Sequence, residues 1–321
     1  MSLQEAIMAK LERTLSDPEP TQGGSHSRHD TQDARARLLA RLPVTERRLT
    51  LAGIPTALLE GGEGPPLVLL HGPSGYAAHW ARVIPALVTR YRVIAPDLPG
   101  HGASGLDAAS LRGERMLRWL DELCAQTCAS PPTLVGELLG GAIALRFALH
   151  QPERVSRLVL VDSFGLSAFE PEPEFALALT RFLTDPNPQT HEQLWRKCAR
   201  DLPAMRTRMG ELWPLLEAYN VERALPAESR AALQELMAEF GLAAIPKREL
   251  ARIALPTSLI WGRHDLATPL SVAQAASAEY GWPLFVIEHA NDAPAIEQPE
   301  AFVQALTTAL AGASNPKGAR P

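Results

Sequence analysis

The chain has 321 residues, 46% hydrophobic and 21% charged, the balance of an ordinary globular protein, and its length fits either two units or one core with an insertion. A net charge of -5, with no basic run long enough to follow a phosphate backbone, argues against nucleic acid and favours a small ligand of little charge. The 3 cysteines, Cys124, Cys128 and Cys198, read as reduced packing thiols rather than a disulfide framework.

In chain order, Leu3, Ile7, Met8, Leu11 and Leu15 recur at helical spacing and predict a short amphipathic helix. Glu5, Lys10, Glu12 and Arg13 interrupt it too often for a signal peptide. No run approaches the roughly 18 apolar residues of a membrane span, so a cytoplasmic monomer or homodimer without membrane contact is expected. Residues 16–33 are rich in Pro, Gly, Ser and His and read as a flexible linker, which makes residues 1–44 a helix plus linker.

From Arg48 onward, strand and helix signals alternate. Strands are predicted near residues 48–51 and 55–60, joined through Gly53 as an antiparallel pair, then near 67–70, 93–95, 133–135, 158–161, 257–261 and 284–287. Helices are predicted near 77–87, 108–128, 139–150, 270–279 and 299–310. This pattern predicts an α/β fold, a mostly parallel, doubly wound sheet of about eight strands. Between residues 162 and 256 the strand signals stop and helical ones take over. Thr190 with Gln193 fits a capping box, Met205, Met209, Leu212, Trp213 and Leu216 form a helical stripe, and Gly241 reads as a terminator. The expected division is therefore a core at 45–162 and 256–312, a helical cap at 163–255 and a disordered tail at 313–321. Phe175, Phe182, Trp195, Trp213, Tyr219 and Phe240 fall in the cap, where such residues form either its own core or the roof of a cavity.

Gly136-Glu137-Leu138-Leu139-Gly140 follows a short apolar strand and opens a helix. This is the G-x-nucleophile-x-G frame, in which small neighbours allow a strained strand-to-helix turn that lifts the central side chain above the sheet. Here the central residue is Leu138, a hydrocarbon. Around this frame stand Leu67-Val68-Leu69-Leu70-His71-Gly72, Val93 through Ser104 with Asp97-Leu98-Pro99-Gly100-His101-Gly102, Trp261-Gly262-Arg263-His264-Asp265, and Asn291-Asp292-Ala293-Pro294 leading to Glu297-Gln298-Pro299. With these motifs in this order, the stretch from Val44 to Ala311 resembles the α/β-hydrolase family, whose esterases and C–C hydrolases carry a cap over the site.

The resemblance implies Asp265 as the triad acid, Leu138 at the nucleophile position and Asp292 at the position of the histidine. Pro73 follows His71-Gly72, where the family commonly supplies an oxyanion N–H, and proline has none. Ser74 supplies one only if the turn shifts. Ordinary ester hydrolysis is therefore not expected. The expected catalytic pair is Asp265 with Asp292, two carboxyls trading a proton in a dry pocket lined by Gly72, Pro73, Ser74, Glu137, Leu138, Leu139 and Trp213. Their chemistry would be non-hydrolytic, such as isomerisation, elimination or cyclisation of a small apolar molecule, with no cofactor or metal. Two alternatives stay open: a non-catalytic binding protein, and a hydrolase whose nucleophile has moved to Ser163 or Ser74.

Overall fold

A computed structural model describes residues 9–10, 13–14, 28–106 and 111–312. Its eight-stranded sheet runs in the order β1-β2-β4-β3-β5-β6-β7-β8. The antiparallel β1 (Thr45–Leu51) and β2 (Ile54–Gly61) turn over Ala52 and Gly53, whose φ values of 48° and 80° give the twist a two-residue hairpin needs. Antiparallel pairing also joins β2 to β4 (Arg92–Pro96), and β3 (Pro66–Leu70), β5 (Thr133–Glu137), β6 (Arg157–Val161), β7 (Thr257–Gly262) and β8 (Leu284–Ile287) complete the sheet in parallel. Successive side chains leave opposite faces. Val68 and Leu70 therefore join a core with Trp119 and Ile143, while Leu67 and Leu69 join one with Trp80 and Phe302.

Helix α1 spans Arg28–Leu39, where part of a linker was expected. Its buried Ala34 and Leu38 pack against Tyr76, Leu215 and Tyr219. Arg35, 7% exposed, pairs with the fully buried Asp97 at 2.8 Å and donates to the Tyr219 hydroxyl at 3.3 Å. Two apolar contacts and a buried ion pair leave no hydrophobic periodicity to read, which is why this helix escaped the sequence pattern. Of the expected first helix, only residues 9–10 and 13–14 are described, and they are helical. The rest of that helix, residues 16–27 of the expected linker, and the expected tail lie outside the described residues. No helix among the described residues is long and apolar enough to cross a membrane.

Helices α2 (Gly113–Thr127) and α3 (Leu139–His150) lie between the central strands in sequence. Between β6 and β7 come α4 (Pro173–Thr184), α5 (Pro188–Cys198), α6 (Leu202–Met209), α7 (Leu212–Ala224) and α8 (Ala227–Leu236), and the last continues into a π turn at Met237–Gly241. The capping box of α5 is Asn187 with Thr190 rather than Thr190 with Gln193, because the Asn187 side chain already accepts from Thr190 N–H at 3.0 Å. The apolar stripe of 205–216 is split by Gly210, φ 54°, yet both halves pack on Trp195. Helices α9 (Leu270–Tyr280) and α10 (Pro299–Ala311) close the chain. The strand order reverses beside β3, which opens a crevice at the carboxyl ends of β3 and β5.

Candidate functional site

The crevice floor is the turn after β5. Leu138 adopts φ 46°, ψ −109°, a conformation rare for a residue with a side chain, so the expected strained strand-to-helix turn is present with Leu138 at its apex. Its N–H donates to Val161 O at 2.9 Å, and its carbonyl accepts from Phe164 N–H at 3.1 Å. A Cβ on Gly140 would lie 2.3 Å from Leu70 O, so only glycine lets α3 approach β3 this closely.

Gly72, Pro73, Ser74 and Gly75 form a tight turn closed by Gly75 N–H to Gly72 O at 3.1 Å. Ser74 takes φ 55° at the third position, as a type II turn with proline second demands. His71 locks this turn: Nδ1 meets Gly72 O at 2.7 Å and Nε2 accepts from Leu98 N–H at 2.9 Å. Burial holds the ring neutral, far below its usual range, so His71 is a structural brace.

After β7, Asp265 accepts from Ala267 N–H at 2.7 Å, Thr268 N–H at 3.0 Å and the Thr268 hydroxyl. It lines neither lobe of the cavity above Leu138. Its carboxyl neighbour is Asp162, which burial first, and then the charge of Asp265, keeps protonated. Loop amides and Thr268 thus hold Asp265 outside the cavity with Asp162 beside it, and of the expected Asp265–Asp292 pair only Asp292 lines the cavity, where the Asp265 charge still acts on it. The Asp292 loop is pinned to the cap by Asn291 Nδ2 to Lys197 O at 2.6 Å, and Glu297 accepts from both Asn291 N–H and Arg200 N–H. This places Asp292 beside Cys198 on the cavity wall, and burial, then Asp292, raises the thiol.

The cavity has two lobes of about 100 Å³ each, which meet at Leu138, Cys198 and Asp292 and share Pro73, Ser74, Phe182 and Leu194 as well. One is walled by Phe164, Phe169, Phe175 and Phe182. The other is lined by Gly72, Glu137, His79, His191 and Asn220. His79 Nε2 meets Asn220 Oδ1 at 3.3 Å, and Asn220 Nδ2 meets His191 Nε2 at 3.1 Å, so a polar chain links core to cap. Two expected lining residues are absent from both walls. Leu139 is fully buried in the first turn of α3, and Trp213 stacks edge-on behind Trp195, 5.3 Å between centroids. Sequence reasoning missed His79, His191 and Asn220 because no local spacing connects positions on three separate segments. Cys198 it treated only as a packing thiol.

Burial pushes Glu137 up to about 8, against a hydrogen bond from Gly72 N–H. Asp292 is raised well above the usual carboxylate range by burial and then by the Asp265 charge. Burial also pushes Glu297 to about 7 and Asp265 to about 6, and drops His79 to about 4 and His191 to about 3. The Cys198 thiol is raised by burial and then by Asp292, so it stays protonated. Among the described residues no serine, threonine or cysteine side chain hydrogen-bonds an imidazole nitrogen; Ser163 Oγ donates to Phe164 O instead.

These shifts set the pH dependence of stability. A carboxyl raised on folding contributes stability that is full below its unfolded value and lost as pH climbs through the folded one. Buried neutral imidazoles do the reverse, and their penalty appears only below about 6.5. Between pH 6.5 and 8.5 the carboxyls therefore dominate, and stability falls as pH rises. Glu137→Gln, which keeps an acceptor for Gly72 N–H, is expected to raise stability at pH 8.5 by on the order of 1–2 kcal/mol and to change it little at pH 5, read from urea midpoints.

The sequence model of the α/β hydrolase family matches residues 67–305. The chain belongs to the α/β-hydrolase family. Among curated relatives of this hydrolase-fold chain, a pimeloyl-[acyl-carrier protein] methyl ester esterase from Aeromonas hydrophila is 33% identical over 254 residues, 76% of this chain and 95% of the relative. Another of that description from Vibrio vulnificus is 32% identical over 76% of this chain and 94% of its own length. Among solved structures, a membrane phospholipase A is 26% identical with a TM-score of 0.73, covering 88% of this chain and 90% of that one. A 2-hydroxy-6-oxo-6-phenylhexa-2,4-dienoate hydrolase from Rhodococcus is 25% identical with a TM-score of 0.71, covering 84% and 99%. These relatives are esterases and hydrolases by description.

Proposed function

We propose that this α/β-hydrolase-fold chain binds a small, largely apolar molecule beneath its cap without cleaving an ester through the elbow. The observation that carries the reading is Leu138, held in the strained elbow with its hydrocarbon side chain facing a cavity roofed by phenylalanines. Asp292 puts a carboxyl where acyl transfer in this fold uses an imidazole, and Pro73 leaves Leu139 N–H, the first amide of α3, without the usual second oxyanion donor. Without nucleophile and base, the oxyanion hole and binding alone sustain little acyl transfer. Loading the cavity with a neutral, environment-sensitive dye and displacing it with small esters and ketones tests this reading. One-to-one displacement with every ligand recovered intact is expected; ester turnover above the spontaneous rate overturns it.

A second reading, proton transfer in the manner of an isomerase, is favoured by one observation: Asp292 Oδ1 is buried at the cavity with no partner among the described residues. A raised carboxyl facing a bound carbonyl can donate and retrieve a proton. Deuterium exchange next to the carbonyl of a bound ketone, lost in Asp292→Asn, is expected; a wild type without exchange leaves binding alone.

A further inference from the structure

We propose that the cavity selects an uncharged carbonyl compound of about nine non-hydrogen atoms, its oxygen against the carboxyls of Asp292 and Glu137 and its apolar end among Phe164, Phe169, Phe175 and Phe182. The proposal rests on the binding role above and adds the chemistry of the ligand.

Charge comes first. Among the described residues lining the two lobes there is no lysine or arginine, and the polar side chains are carboxyls, imidazoles, an amide, an indole, a thiol and a hydroxyl. An anion entering this space meets Asp292 and Glu137 with no compensating charge, and desolvation makes that arrangement costly. A cation has to drive a proton from a buried acid before it gains a counter-ion. A neutral carbonyl needs neither, because it accepts from acids that are already protonated.

Hydrogen bonding gives the same answer. Cys198 lies beside Asp292 on the wall of both lobes, and Asp292 Oδ1, in a residue 5% exposed, has no hydrogen-bond partner among the described residues. A protonated Asp292 on the cavity wall therefore keeps a donor for a ligand. Glu137 is served by Gly72 N–H, which leaves its own proton for a ligand. The titratable neighbours of these acids are Asp162, Asp265, Glu297, Cys198, His79 and His191, and the two imidazoles are held neutral by burial.

Size and shape complete the case. A dry cavity of roughly 150 Å³ accommodates benzene, so two adjoining lobes of about 100 Å³ each suit an aromatic ring carrying a short polar head. Phe164 and Phe169, 4.8 Å apart between centroids, offer the tilted faces that aromatic rings prefer.

Three isosteric probes separate the possibilities: acetophenone, benzoate and protonated 1-phenylethylamine, each competing with the neutral dye at pH 7. Acetophenone is expected to bind at least about tenfold more tightly than either ion. Benzoate or the ammonium binding as tightly overturns the ligand class and leaves the binding role standing. Binding by none of the three, with no displacement by any ester or ketone, overturns both. Asp292→Leu is expected to weaken acetophenone about tenfold and Asp292→Asn, which keeps a donor, to retain it. Equal affinity in the two variants, each folded by its melting curve, overturns the assigned contact.

Discussion

Leu138→Ser, Asp292→His and Pro73→Gly combined in one chain are expected to raise hydrolysis of an activated aryl ester by at least ~10³ over the unaltered protein, with each single change near background. The basis is a frame that is already bent. Leu138 holds φ 46°, ψ −109°, so a hydroxyl placed there inherits the lifted position without a new backbone turn. Asp265 is oriented by two amides and Thr268, ready to steady an imidazole at 292. Glycine at 73 restores an N–H to the turn opposite Leu139 N–H. The effects multiply rather than add, since a serine without a base stays protonated and a base without a nucleophile has nothing to activate. Initial rates of p-nitrophenyl acetate hydrolysis measure this. A triple variant no faster than the singles would mean that the elbow does not present residue 138 to substrate.

Arg35→Met is expected to destabilise the fold by about 3–5 kcal/mol, because it strands Asp97 in a site with no access to water. Asp97 keeps Ala77 N–H and Ala103 N–H, both at 2.7 Å, but loses its counter-charge. The same guanidinium reaches Tyr219 on α7, next to Asn220 of the cavity wall, and Tyr219 stacks on Tyr76 at 4.6 Å. Dye affinity should therefore fall together with stability. Asp97→Asn added to Arg35→Met should recover much of the loss in urea denaturation, and a double variant as unstable as the sum of the singles would deny the coupling.

The core was legible because its physics is periodic. Eight strands and four of the five expected core helices lie close to their expected places, since buried parallel strands and amphipathic helices write their environment into the chain, whereas the helix expected near 77–87 is a 3-10 turn at Ala77–Arg82 followed by the short helix Ile84–Leu87. The elbow was legible from Gly136 and Gly140, whose lack of a side chain is a steric requirement. What lay hidden depends on distant meetings. Arg35 finds Asp97 across 62 positions, and His79, Asn220 and His191 converge from the core and two cap helices. Asp265 is assigned to the site by its motif, but its motif does not show that loop amides and Thr268 hold the carboxyl outside the cavity. Trp213 and Trp195 both looked like cavity roof, and the edge-on stack puts one in front of the other.

The claim that no acyl-enzyme forms at this site is open to a direct measurement, the intact mass of the protein after long exposure to excess alkyl fluorophosphonate. The unaltered chain should gain no stoichiometric adduct, and the triple variant should gain one, mapped to residue 138. One full equivalent on the unaltered chain, located at Ser74, Ser163 or Cys198, would establish a nucleophile where the geometry provides none.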